Sequence, residues 1–159
     1  MNTKDYDFSN YDLKSLAYFI SDELFKEGLK AILVGGACVT IYSDNRYQSC
    51  DLDFVTYEDS KVIERVLKKI GFVKEGRYYT HSTTSYYIYF VNPPVAIGSD
   101  PVTKYEKLKS PLGELQLLTQ TDCVKDRLAA YYHWNDQQAL DQAVMVAKQN
   151  EVEIKEIQS

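Results

Sequence analysis

The sequence predicts an α+β domain, a mixed β-sheet flanked by helices with further helices toward the C-terminus. Two observations lead to this fold class. Apolar residues recur at three- and four-residue spacing over residues 11–27 and 61–70, which is typical of amphipathic helices. Short apolar or β-branched runs at 31–34, 51–56 and 86–91 predict strands that alternate with these helices. Such alternation indicates one sheet with helices packed on it.

Local signals define the first half of the chain. Gly28 and Gly71 follow the two amphipathic helices, where glycine commonly ends a helix. Asp59 or Ser60 is placed to cap the second of them. Between the first two strands, Ala37 to Tyr42 reads as a short helix that begins directly after a glycine pair.

The second half of the chain is predicted in the same way. Arg77 to His81 forms a hairpin partner for the strand at 86–91, and Leu115 to Leu118 is a further short strand. Thr121 is the expected cap of the next helix, and Asn135 or Asp136 begins a last helix that ends near Gln149.

Length and composition indicate one domain. The chain has 159 residues, of which 45% are hydrophobic and 26% charged, and neither a repeat nor a proline-rich linker divides it. We predict a single domain over 1–159, with frayed ends at 1–9 and 151–159. The start is polar and acidic, unlike a signal peptide, and no apolar run is long enough for a membrane span, so we expect a cytoplasmic protein.

Charge and side-chain types narrow the function classes. The formal net charge of −5 argues against a general nucleic-acid-binding surface. Cys38, Cys50 and Cys123 are odd in number and widely spaced, which predicts packing residues and neither a disulfide framework nor a zinc site. His81 and His133 have no sequence context that favours catalysis. Tyrosine is frequent, at 14 residues, and we interpret the clusters as half-buried element faces in preference to a base-stacking platform.

The first motif is Gly35-Gly36, between an apolar strand and a short helix. A glycine pair lets the backbone approach phosphate oxygens closely, and the start of the following helix offers free N–H groups. The alternative is an ordinary tight turn.

The second motif is the pair Asp51 and Asp53, fifteen residues farther along at the start of the next strand. Residues two apart on a strand point to the same face, so both carboxylates can converge on one cation. Mg²⁺ prefers such hard oxygen ligands and usually takes one or two protein carboxylates. The alternative is a solvated strand end.

Together these motifs resemble the polymerase-β-like nucleotidyltransferase superfamily. Leu33-Val34-Gly35-Gly36-Ala37 is similar to its glycine signature, and Ser49-Cys50-Asp51-Leu52-Asp53-Phe54 is similar to its paired-aspartate strand. The match covers roughly residues 29–56, with a weaker similarity in the helical region around Asp126 to Asp136. The resemblance implies a nucleotidyltransferase-like fold with Asp51 and Asp53 as catalytic and metal-binding residues.

The resemblance also implies partners. These are Mg²⁺ or Mn²⁺, a nucleoside triphosphate, and an acceptor that is a small molecule, an RNA end or a protein hydroxyl. Small relatives are often toxin-antitoxin components, so a protein partner is a further expectation. Gly35, Gly36 and Ser49 are the expected nucleotide-binding residues. Arg46, Lys125 and Arg127 are the cations best placed for phosphate, although a solvated charge is an equal alternative for each.

One feature departs from the family pattern. Active members carry a third carboxylate on a later strand, yet no Asp or Glu lies between Glu75 and Asp100. Tyr89 or an adjacent strand residue is predicted to occupy that position. Two hypotheses follow, a working nucleotidyltransferase or a catalytically weakened relative that binds nucleotide or a partner protein.

Other enzyme classes are less consistent with the sequence. Glycosyltransferases that use an Asp-x-Asp motif need a larger domain. The glycine patterns of dinucleotide-binding folds and of P-loops are absent from the sequence, and so is a Gly-x-Ser-x-Gly elbow.

Overall fold

The computed structural model describes residues 6–91, 93, 96–97, 100–150 and 157, and the side chains at positions 96 and 100 lie outside this description. Five helices and nine strands are found in these ranges. In chain order they are α1 Leu13–Lys26, β1 Ile32–Val34, α2 Gly36–Tyr42, β2 Asp51–Val55, α3 Ser60–Lys69, β3 Val73–Glu75, β4 Tyr78–His81, β5 Thr84–Val91, β6 Ala96–Ile97, β7 Asp100–Pro101, β8 Tyr105–Ser110, β9 Gly113–Leu118, α4 Gln120–Trp134 and α5 Gln137–Gln149.

Seven of the strands form one mixed sheet in the order β3-β4-β5-β2-β1-β9-β8. The pairs β2–β5 and β1–β9 are parallel, and the other pairs are antiparallel. β6 and β7 pair separately. The predicted fold class, an α+β domain with a mixed sheet and C-terminal helices, is therefore confirmed.

The two faces of the sheet differ in exposure. On β2 and β5, Leu52, Phe54 and Ile88 are fully buried and belong to the core that α1 and α3 complete. Asp51 and Asp53, which alternate with the buried residues of β2, are only partly buried. The period of two along a strand thus separates a packed face from a partly open one.

The helix ends follow the predicted capping chemistry with one correction. Asp12, Asp59 and Asp136 cap α1, α3 and α5 by accepting backbone N–H groups. For α4 the sequence predicted Thr121, but the cap is Thr119, whose hydroxyl accepts the N–H of Asp122 at 3.1 Å. Because β9 ends at Leu118, the extended residue that caps the helix is Thr119, two positions before the predicted Thr121. None of the helices in the described ranges has the length and apolar character needed to cross a membrane.

Two strands of the main sheet, β3 and β8, were not predicted. They form its two edges, and all residues of β3 are exposed. In β8, exposed and partly buried residues alternate, but most of the side chains are polar or charged. Edge strands often carry charged residues, which discourage another chain from pairing with the free backbone groups. The same residues remove the apolar pattern from which a strand is predicted.

Tyr6 and Phe8 are packed against the core, in contrast to the predicted fraying of residues 1–9. Phe8 is 1% exposed, and its N–H donates to Thr83 Oγ1 at 2.8 Å. Its ring contacts four other rings, those of Tyr6, Tyr11, Phe19 and Phe72, and also the imidazole of His81. Residues 1–5, 151–156 and 158–159 lie outside the described ranges, so the rest of that prediction concerns residues that the structure does not describe.

Candidate functional site

The carboxylate pair lies at the start of β2, near the middle of the sheet. Asp51 and Asp53 share the partly open face, and their carboxyl groups are close enough to form a hydrogen bond. The intervening Leu52 is fully buried on the other face. The strand period therefore brings the two acids together, as the spacing of two residues predicts.

The electrostatics of this pair are unfavourable without a cation. Burial, and then the charge of Asp51 and the hydrogen bond from it, raise the pKa of Asp53 to about 7, while Arg127 acts in the opposite direction. Two carboxylates side by side resist simultaneous ionisation. A divalent cation between them would remove that cost, because it favours both carboxylates in the charged form.

Gly35 lies directly against Asp53. It has φ 68°, in the left-handed region that favours glycine, and a Cβ at this position would be 3.0 Å from Asp53 Oδ2. α2, which follows, has only seven residues. The contact between Gly35 and Asp53 is therefore a stronger indication of a binding site than the dipole of so short a helix.

A hydrogen-bond network holds the loop between α2 and β2 beside this turn. The Thr40 hydroxyl donates to Gly36 O at 3.2 Å and accepts the N–H of Ser49 at 3.0 Å. The Ser49 hydroxyl in turn is 3.0 Å from both Asp51 O and Asp51 Oδ1. Ser49, a predicted nucleotide-binding residue, thus orients Asp51, and Thr40 is a positioning residue that sequence reasoning missed.

Gly36 is enclosed by the same loop. A Cβ here would be 3.3 Å from the Tyr47 ring and 3.4 Å from Ser49 Oγ. The tight packing gives a structural reason for glycine at this position, in addition to the predicted approach of phosphate.

The three predicted phosphate-binding cations are found in different environments. Arg46 is exposed in the loop that follows α2, and Lys125 is partly exposed on α4. Arg127 forms an ion pair with its neighbour Asp126 and donates to Gln142 Oε1 at 3.2 Å. Its charge acts to lower the pKa of Asp53, against the larger effects of burial and of Asp51. Phosphate binding by all three stays a prediction.

On the other side of β2 lies a tyrosine face, which we define as Tyr78, Tyr87 and Tyr89. The register of the parallel pair β2–β5 puts Tyr87 opposite Asp51 and Tyr89 opposite Asp53. The ring of Tyr78 meets those of Tyr87 and Tyr89 edge to face, at centroid distances of 4.9 and 5.5 Å. Tyr89 thus lies beside the acid pair, where the sequence analysis placed the residue that replaces a third carboxylate.

The donor set fits one hard cation. Two converging carboxylates match the number that Mg²⁺ usually takes from a protein, with water and phosphate oxygens completing its shell. Among the described residues there is no group of three or more His, Cys, Asp or Glu side chains that could hold a metal ion. The arrangement therefore suits a single ion shared with a phosphate ligand.

Comparison with known proteins gives a structural likeness only. No family model matches the chain, and no curated protein matches it. An antigenic nucleotidyltransferase-like protein from Paracoccidioides brasiliensis is similar in structure, with a TM-score of 0.63 and 13% identity over 87% of this chain and 75% of that one. The chain has a nucleotidyltransferase fold.

Two structures of the antibiotic-resistance factor ANT(2″)-Ia share this fold. The solution structure has a TM-score of 0.55 and 7% identity over 96% of this chain and 89% of that one. The crystal structure, a complex with adenylyl-2″-tobramycin, has a TM-score of 0.53 and 9% identity over 92% of each chain. Since the identities are this low, the likeness establishes the nucleotidyltransferase fold and leaves the substrate to be argued from the residues.

Proposed function

We propose that the chain is a Mg²⁺- or Mn²⁺-dependent nucleotidyltransferase, acting as one domain, that transfers a nucleoside monophosphate from a nucleoside triphosphate to an acceptor hydroxyl. The observation that carries the proposal is the close approach of Gly35 to Asp53, whose carboxylate is paired with that of Asp51. A backbone turn without side chains thus lies beside the two carboxylates that would hold a cation. A triphosphate with its metal needs that combination.

Each part of the site has a separate role in this reaction. Asp51 and Asp53 would hold the metal ion, which neutralises charge on the phosphate oxygens. Gly35 and Gly36 leave room for the triphosphate beside them, and Ser49 keeps Asp51 oriented. Arg127, whose charge acts on Asp53, would add positive potential at the site. Positioning and electrostatics provide most of the catalysis in such transfers.

The transfer itself is a displacement at the α-phosphorus. The acceptor oxygen forms a bond to the α-phosphorus, the bond from this phosphorus to the bridging oxygen breaks, and pyrophosphate leaves with that oxygen. The hydroxyl proton goes to solvent, because β5 offers no carboxylate next to Asp53. Nothing is oxidised or reduced in this step.

A second candidate function is a catalytically weakened relative that binds nucleotide or a partner protein. The observation that favours it is the register that places Tyr87 and Tyr89 beside the acids. A positioned general base typically contributes about 10²- to 10⁴-fold in rate, so binding without fast transfer is the expected result of its absence. Participation in a toxin-antitoxin pair stays a prediction from the family resemblance.

Calorimetric titration of a non-hydrolysable nucleoside triphosphate, with and without Mg²⁺, tests the site. We expect Mg²⁺-dependent binding that Asp53→Asn abolishes. In a separate assay with a hydrolysable nucleoside triphosphate, the same variant should lose pyrophosphate release by roughly 10²- to 10³-fold. Asp141→Asn is the matched control, since Asp141 is exposed on α5. Equal affinity with and without Mg²⁺, or an unchanged Asp53→Asn variant, would contradict the proposal. Strong binding with little pyrophosphate release would support the weakened relative.

A further inference from the structure

A cleft lies where the first residues of α3 meet strands β4 and β5. It consists of two adjoining cavities, of about 190 and 440 Å³, that share Ser60, Tyr79 and Phe90. Ile63 and Val91 also line the smaller cavity, and Lys74 and Arg77 also line the larger one. We call these seven residues the α3–β5 cleft.

The α3–β5 cleft is on the packed face of the sheet, whereas the acid pair is on the other face. Phe90 stacks on the buried ring of Phe54, at a centroid distance of 5.9 Å, and Tyr79 meets Phe90 edge to face at 5.8 Å. Asp53 alternates with Phe54 along β2 and therefore points away from these rings. Tyr89, which is paired with Asp53, also borders the larger cavity, so a test has to distinguish the two sites.

The smaller cavity has the size and walls for one flat ring. Phe90 and Tyr79 contribute aromatic surface to it, and Ile63 and Val91 contribute aliphatic surface. An apolar cavity of about 150 Å³ is sufficient to hold benzene. The 190 Å³ here therefore accommodates a six-membered ring.

The larger cavity contains the positive charge of the cleft. Lys74 is paired with the buried Tyr79 in the register of β3 on β4, and Arg77 precedes β4 in the turn that joins these strands. Both cations are exposed, and in the part of the chain that the structure describes neither forms an ion pair. They are available to an anionic ligand.

The nearby carboxylates lie on the α3 side of the cleft. Glu58 lines the smaller cavity just before α3 begins. Burial, and then the charge of Glu64 on α3, raise the pKa of Tyr79. Glu75 alternates onto the opposite face of the sheet, where it is paired with Tyr78. An anionic group is therefore favoured at the end of the cleft formed by the β3–β4 hairpin.

We propose that the α3–β5 cleft binds a small aromatic anion, with its ring in the smaller cavity and its carboxylate or phosphate group near Lys74 and Arg77. Lysine and arginine donate charge-assisted hydrogen bonds to both kinds of anion. The Ser60 side chain, which borders both cavities, offers a further donor. This site is separate from the acid pair, so the inference goes beyond the proposed nucleotidyl transfer and does not depend on it.

NMR titrations of the full chain, without divalent cations, test this class of ligand. The probes are phenyl phosphate and phenylacetate, the ring-free ions phosphate and acetate, and the neutral benzyl alcohol. We expect the tighter of the two aromatic anions to bind about 3- to 30-fold more tightly than benzyl alcohol, because two exposed cations act on it. It should bind at least about 10-fold more tightly than its ring-free ion, which buries no apolar surface. Whether phenyl phosphate or phenylacetate is preferred identifies the anionic group, and either preference supports the proposal.

Variants and residue-resolved signals locate the binding. Lys74→Ala and Arg77→Ala should each weaken binding of the preferred anion about 2- to 5-fold, and leave the affinity for benzyl alcohol unchanged. Lys68→Ala is the matched control, since Lys68 is exposed on α3 and does not line the cleft. The amide signals that shift should be those of Ser60 and Tyr79.

Three results would overturn the proposal. The first is equal affinity for the aromatic anions and benzyl alcohol, or for these anions and the ring-free ions. The second is binding of the preferred anion that neither Lys74→Ala nor Arg77→Ala weakens. The third is a set of shifted signals centred on Gly35 and Asp51, which would place the ligand at the acid pair.

Discussion

The two sides of strand β2 differ in the residues that flank Asp51 and Asp53. Toward β1, a glycine turn touches Asp53, and hydrogen bonds from Thr40 and Ser49 fix the loop and Asp51. Toward β5, the same acids are next to two tyrosines, with a third packed on them. The first side matches the family resemblance, while the second departs from it. The β1 side therefore has the features that the proposed nucleotide binding needs, and the β5 side lacks the carboxylate that could act as a general base.

Placing an acid on the β5 side should have the largest effect on the rate of transfer. Tyr89→Glu places a carboxylate opposite Asp53, where it can accept the acceptor's proton and complete the cation site. We expect the maximal rate of transfer to rise, by up to about 10²- to 10⁴-fold. Steady-state assays of labelled nucleotide transfer against a panel of acceptors measure this rate.

A different result would change the interpretation of the β5 side. Fast wild-type transfer that depends on Asp51 and Asp53, and that Tyr89→Glu does not increase, would mean that an acid distant in sequence completes the site. Asp100 is one such residue, and its side chain lies outside the described ones.

On the β1 side, Gly35→Ala should weaken Mg²⁺-dependent nucleotide binding by roughly 10-fold or more. The added Cβ would be 3.0 Å from Asp53 Oδ2, at a backbone φ of 68°. Gly28→Ala is the matched control, because Gly28 has φ 75° and open space around its Cβ position. Both variants should lose about 1–3 kcal/mol of unfolding free energy through backbone strain.

Only Gly35→Ala should affect the nucleotide. Calorimetry and chemical denaturation on the two variants separate strain from site disruption. Equal nucleotide affinity in both variants would show that the glycine turn does not shape the site.

The acid pair itself should make stability depend on pH. The pKa of Asp53 is raised from 3.8 to about 7, so its protonated form is favoured in the folded state. The stabilisation by this group is complete below about pH 3.8 and is lost as the pH rises through 7. The free energy of unfolding should therefore fall between pH 5 and pH 8, on the order of 1–3 kcal/mol from this group.

Urea denaturation at the two pH values, without divalent cations, measures this change. Asp53→Asn should reduce the difference between pH 5 and pH 8, since the amide does not titrate. A variant that retains the full pH dependence would show that other groups cause it.

Much of the β1 side was predictable because it depends on local rules. The two-residue spacing of Asp51 and Asp53 determines that they share a face, and the apolar strand before Gly35 determines where the turn falls. Helices α1, α3 and α5 were predicted from apolar periodicity and capping residues. The nucleotidyltransferase fold was implied by the resemblance of the glycine and aspartate motifs to that superfamily, and the structural likeness confirms it.

The sequence by itself determined the acid pair, the glycine turn and most of the helices, since each depends on residues close together in the chain. The tertiary structure decided what lies beside them. Tyr78 meets Tyr89 only because the register of β4 on β5 aligns them, and Arg127 reaches Gln142 only because α4 packs on α5. The packing of Phe8 on His81, more than seventy residues away, is of the same kind. Strand register and helix packing are chosen by the burial of the whole core, which no local pattern encodes.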